Sequence, residues 1–132
     1  MNLKKLFKRG EPKVSLSDTV SQWFSAIEPQ ETIPSSIKAI NIGLFESDGG
    51  YCAYISGAEQ YDENDDDWAC ESDFTPDEKY LYFIGEKYES IEWEEFLNII
   101  SSAIKSLIPK FSFLSSRIVT IGFDSGELTR LN

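Results

Sequence analysis

Histidine is absent from all 132 residues. That gap removes the commonest general base near neutral pH, every Ser-His or Cys-His nucleophile arrangement, and the histidine-containing zinc sites. Cysteine is nearly absent too. Cys52 and Cys70 are too few for a disulfide framework and form no C-x-x-C spacing, so they read as reduced thiols of a cytoplasmic protein. No apolar run approaches membrane-spanning length, and no stable membrane insertion is expected. The start, MNLKKLFKRG, is basic but has no apolar stretch behind it, so it is not a secretory signal. Leu3, Leu6 and Phe7 among its lysines read as a lightly docked terminus in preference to a membrane-surface helix. Basic charge is scarce everywhere else. Residues 1–13 hold five basic side chains against one acid, leaving 7 basic and 22 acidic for the remaining body, a balance of −15. Such a body repels nucleic acid and anionic lipid and attracts basic proteins or cations.

What is present is a globular composition, 41% hydrophobic and 14% aromatic, in a chain of single-domain length. Residues 1–132 are therefore expected to form one domain, with 1–13 as a basic segment loosely attached. LSDTVSQWFSAI places Leu16, Val20, Trp23, Phe24 and Ile27 at helical spacing, with Ser17 as the expected N-cap and Pro29 beyond the end. IKAINIGLFE alternates, SDGG signals a tight turn, and YCAYISGAEQY returns, so residues 37–60 predict a hairpin. KYLYFIGEKY reads as a third strand. IEWEEFLNIISSAIKSLI repeats its apolar residues every three or four positions, a helix with Ser90 as cap, Pro109 as stop and Trp93 within its core stripe. SRIVTIGFD and the end of DSGELTRL supply two more strands. The order indicates an α+β fold, an antiparallel sheet of about five strands with two helices packed on one face.

Between the second and third strands, residues 59–78 carry ten acids and no lysine or arginine. Asp62, Asn64, Asp66 and Asp73 fit positions one, three, five and twelve of a helix-flanked calcium loop. Asp67, however, stands where that loop needs glycine, and the flanks read as strands. A carboxylate-based enzyme would need acids drawn from separate elements around a pocket, whereas these crowd one segment without a nucleophile or phosphate-loop motif. The chain is not expected to be an enzyme or to hold a cofactor. A solvated loop with no further role stays open as an alternative. Against it stand the self-repulsion of the run and the presence of Trp68, with Tyr61 and Phe74 near its ends. An aromatic anchor ringed by charge is a frequent composition for a protein-binding hot spot. Trp68 has two orientations open to it, toward a partner or inward to pin the loop.

DDWAC at 66–70, DFTPDEKYL at 73–81 and IGFDSGEL at 121–128 resemble, in order and spacing, motifs of a family of small bacterial proteins. These are the α+β immunity proteins encoded beside polymorphic and contact-dependent toxins. The likeness covers residues 37–131. The resemblance implies a cytoplasmic, non-catalytic inhibitor that binds a cognate toxin domain tightly. A basic toxin suits the acidic surface, and a nuclease, which must grip phosphate, is the expected kind. The residues expected to meet the partner are Tyr61, Asp62, Glu63, Asp65, Asp66, Asp67, Trp68, Glu71 and Asp73. The hairpin, with Tyr51 and Tyr54 on alternate faces, is a secondary candidate surface. The alternative function is a calcium- or metal-responsive module built on the acidic loop over 62–73.

Overall fold

The computed structural model describes residues 15–28 and 32–132; the basic segment 1–13 and Pro29 lie outside the described residues. Helix α1 spans Leu16–Ile27, and its cap is Ser15, whose Oγ accepts from the Asp18 amide at 3.0 Å. The cap thus sits two residues ahead of Ser17, because Leu16 is the first residue of the buried stripe and needs helical backbone. Leu16, Val20, Trp23, Phe24 and Ile27 are all buried, as their spacing dictates.

Strands β1 (Ala39–Ser47) and β2 (Gly50–Ala58) form the hairpin, with Ser47 opposite Gly50 and Ile42 opposite Ile55. Gly49 supplies the positive φ of 79° that the two-residue connection needs. Strand β3 (Tyr80–Ile84) pairs antiparallel with β2 and leaves its other edge free among the described residues. A short helix α2 (Glu86–Glu89) follows, then the long helix α3 (Trp93–Leu107), a 3₁₀ turn, a short helix α4 (Ser112–Ser115), and strands β4 (Ile118–Phe123) and β5 (Thr129–Arg130). Ser90 does not cap α3. It closes α2, its amide donating to the Glu86 carbonyl, and Glu92 stands at the N-cap of α3 without a side-chain bond.

The five strands lie in the order β3-β2-β1-β4-β5. The α+β class and the strand number are as expected, but the sheet is mixed, because β1 and β4 run parallel with Ile40 beside Val119 and Ile42 beside Ile121. Helix α3 is the cause. Its 15 residues carry the chain about 22 Å, which returns it from β3 toward the starting end of β1 so that β4 enters in the same direction.

One sheet face receives both long helices. Ile40, Ile42 and Leu44 from β1, Ile55 from β2, and Val119 and Ile121 from β4 meet Val20, Phe24 and Ile27 of α1 and Phe96, Ile100 and Ile104 of α3, all essentially without solvent exposure. Each such side chain contributes about 1.5–3 kcal/mol by leaving water, so this face dominates stability. Trp23 joins it, and its indole Nε1 donates to the Glu78 carbonyl at 2.7 Å. Trp93 does not join it. It is 44% exposed and meets the Phe123 ring edge to face, ring centroids 5.6 Å apart. No helix among the described residues is long and apolar enough to cross a membrane.

Candidate protein-binding surface on the outer sheet face

The face turned away from the helices is made differently. Ala39, Asn41, Ser56, Ala58 and Thr120 are small or polar, and among the described residues neither long helix packs on them. The acidic loop does. It leaves β2 and is clamped at its base by Gly57, whose amide donates to the Phe74 carbonyl at 2.7 Å while its carbonyl accepts from the Asp73 and Phe74 amides. At its apex Asp66–Cys70 forms a 3₁₀ turn. Trp68 on that turn is 7% exposed and lies against Ala39 and Ala58, so of its two possible orientations it takes the inward one. Two alanines on adjacent strands leave a depression that an indole fills. Tyr61 meets the edge of Trp68, centroids 5.2 Å apart, and the Arg130 guanidinium sits 5.8 Å above the Tyr61 ring.

The carboxylates are held by backbone amides. Asp62 Oδ1 accepts from the Asn64 amide at 2.9 Å, and Asp65 Oδ1 from the Asp67 amide at 2.9 Å. Asp66 Oδ2 accepts from the Leu128 amide at 3.1 Å, tying the loop to the β4–β5 connection. Asp73 Oδ2 accepts from the Glu59 amide at 2.9 Å. Side chains that compete for local backbone donors in this way set the path of a turn. Each bond uses one carboxylate oxygen and leaves the residue exposed, so the acids decorate a loop that they also shape.

The sequence-derived residues do not all share one surface. Asp62, Asp65, Asp67, Glu71 and Asp73 line a common recess of about 390 Å³ with Glu59. Glu63 and Asp66 border a smaller recess of about 240 Å³ next to Arg130. Trp68 supports both from beneath and offers a partner almost none of its own area. Of the secondary pair, Tyr51 is a core residue. Its ring stacks on Phe96 at 4.3 Å and its hydroxyl donates to the Ile91 carbonyl at 2.6 Å. Burial and the surrounding glutamates raise its pKa above 10.0.

Tyr54 remains on the outer face. Its hydroxyl donates to Asp124 Oδ1 at 2.5 Å, and its pKa is pushed up by burial first and by that carboxylate second. The ring lies directly on Gly43, where a Cβ would stand 2.1 Å from it. Beside it Thr120 Oγ1 donates to Asn41 Oδ1 at 2.8 Å, joining β4 to β1 in a buried polar pair. Sequence reasoning gave Asn41, Ser56, Lys79 and Asp124 no role. Each lies far along the chain from its neighbours here, and only the polar residues interrupting the strands' apolar pattern could have signalled them.

For a metal, the arrangement is unfavourable. Among the described residues no group of three or more Asp, Glu, Cys or His side chains gathers as a metal-binding set. The calcium-loop candidates Asp62, Asp66 and Asp73 each engage a different backbone amide instead of converging. No protein-family model, curated protein or solved structure matches this chain.

Proposed function

We propose that this chain is a non-catalytic, cytoplasmic immunity-type protein that binds and neutralises a cognate basic toxin domain, a nuclease by preference, through the acidic surface of residues 61–73. The observation that carries the reading is the ordered display of carboxylates. Asp62, Asp65, Asp66 and Asp73 are each fixed by a backbone amide, and Trp68 anchors the turn beneath them. A preordered anionic array loses little entropy on binding and can occupy a groove shaped for phosphates. Its unbalanced charge also steers a basic partner inward, an effect that reaches about one Debye length, ~10 Å at 0.1 M salt. The buried position of Trp68 assigns it to support, so contact falls to the carboxylates and the exposed edge of Tyr61.

The test is co-expression with the toxic polypeptide encoded beside this chain's gene, followed by association kinetics of the purified pair. Protection from growth arrest and a stable complex are expected. Replacing Asp65, Asp66 and Asp67 together by Asn should slow association about tenfold at low salt and far less at high salt. Absence of both protection and complex would sink the proposal, and an unchanged on-rate in the triple variant would remove this surface from it.

A further inference from the structure

Beside the acidic turn, on the outer sheet face, lies a second cleft of about 500 Å³. Its floor is Asn41 and Ser56, 4% and 7% exposed. Asn41 Oδ1 is occupied by Thr120, but among the described residues its amide nitrogen takes no partner, and neither does the Ser56 hydroxyl. Among the described residues no fully enclosed side-chain polar atom is left unpaired, and both Asn41 and Ser56 line the cleft, so both groups open into it. One wall is Asp66 and Asp67, and the other is Asp124 from the β4–β5 connection. Asp66 and Asp124 each spend one oxygen internally, on the Leu128 amide and the Tyr54 hydroxyl, which leaves the second oxygen of each for a ligand. The lining cation, Lys79, is drawn over the Tyr54 and Tyr80 rings at 5.6 and 5.1 Å.

We infer that this cleft seats an arginine side chain presented by a polypeptide partner. Three carboxylates on two walls call for a cation with several donors in a plane, which a guanidinium supplies and an ammonium, a point charge, does not. A free guanidinium brings donors only and would leave the Asn41 amide unanswered. An arginine within a peptide brings its own carbonyl oxygens as well. The Asn41 amide is met by solvent in the cleft, so a ligand that displaces that water must supply an acceptor in its place or lose affinity. Cleft size agrees, since pockets of a few hundred Å³ hold a side chain together with its flanking backbone. The inference deepens the proposed function and rests on it, naming the chemistry by which a basic toxin would key into this face.

The experiment titrates the isotope-labelled full chain with N-acetyl-Gly-Arg-Gly-amide, and with the same peptide carrying neutral citrulline, following the Asn41 side-chain amide by NMR. The arginine peptide should give saturable shifts at Asn41 and along residues 122–126, and the citrulline peptide should bind at least about tenfold more weakly. Asp67→Asn should weaken binding severalfold. This variant folds, because the Asp67 side chain is exposed and takes no partner among the described residues. Glu89→Gln, on α2, should leave binding unchanged. Equal binding of the two peptides, or unsaturable shifts spread over every acidic residue without a response at Asn41, would overturn the inference. The two readings separate cleanly. Toxin protection with a flat arginine titration sinks this inference alone, and saturable arginine binding without a toxin complex sinks the functional proposal alone.

Discussion

Tyr54 illustrates how much one side chain can organise. It reaches Asp124 across 70 residues of sequence, covers Gly43, and holds the Lys79 ammonium over its ring. Its folded-state pKa lies above the ordinary 10.0, chiefly through burial and then through the Asp124 carboxylate. A raised pKa means the neutral phenol is preferred in the folded protein. The stability this contributes is fully present below pH 10 and is lost as pH rises beyond it. Urea unfolding of the wild type should therefore lose stability above about pH 10, where Tyr51, Tyr82 and Tyr88, also raised, add to the fall. The buried Cys52 thiol begins to contribute at somewhat lower pH. Tyr54→Phe should be less stable at neutral pH, by about 1 kcal/mol for the lost hydrogen bond, and should fall less steeply in alkali. Parallel alkaline slopes for the two proteins would show that Tyr54 is not the group responsible. Arg117 acts similarly at another corner, its Nε donating to the Ile37 carbonyl at 2.9 Å and Nη1 to the Phe113 carbonyl at 3.1 Å.

Among elements, the 3₁₀ turn Asp66–Cys70 differs most from its surroundings, an acidic segment with one large buried apolar side chain, Trp68. Its neighbours in sequence repel one another, so the turn keeps its place through Trp68 and the amide-bound carboxylates. Trp68→Ala should destabilise the protein by about 3 kcal/mol, the usual scale for truncating a buried tryptophan. Amide hydrogen exchange should accelerate across residues 59–74 before it does in α3. If Trp68→Ala melted with wild-type stability and left loop exchange unchanged, the turn would have to be held by its hydrogen bonds alone. Trp93 provides the contrast. It sits in an amphipathic stripe but is 44% exposed, and its truncation belongs with surface changes of small effect.

At the scale of the molecule the governing quantity is charge, −11 overall. Like charges spread over one face destabilise the compact state, and salt screens them. The melting temperature is accordingly expected to rise with sodium chloride. Because the loop carboxylates engage separate backbone amides, millimolar calcium should stabilise no more than sodium chloride of equal ionic strength. Saturable stabilisation by calcium that Asp66→Asn abolishes would instead establish a metal site in the loop.

The elements themselves were legible in the sequence because their signals are local. A 3.6-residue period buried Phe96, Ile100 and Ile104, a two-residue period put Ile40, Ile42 and Leu44 on one face, and Asp48-Gly49 turned the hairpin where such pairs turn. The carboxylates of the candidate surface were legible as composition, since residues 59–78 hold ten acids and no base. Capping positions slipped by two residues, at α1 because Ser15 and Ser17 compete for the cap, and at α3 because Ser90 is taken by the end of the short helix before it. What only the tertiary structure decided depends on residues far apart in the chain. The parallel course of β4 follows from where α3 delivers the chain. The inward turn of Trp68 follows from Ala39 and Ala58, 19 residues apart and side by side only after the hairpin forms. The cleft exists because Asn41, Ser56, Asp66 and Asp124 come from four segments. No local pattern encodes that meeting, because the free energy that fixes it comes from packing the whole sheet and not from any one stretch of it.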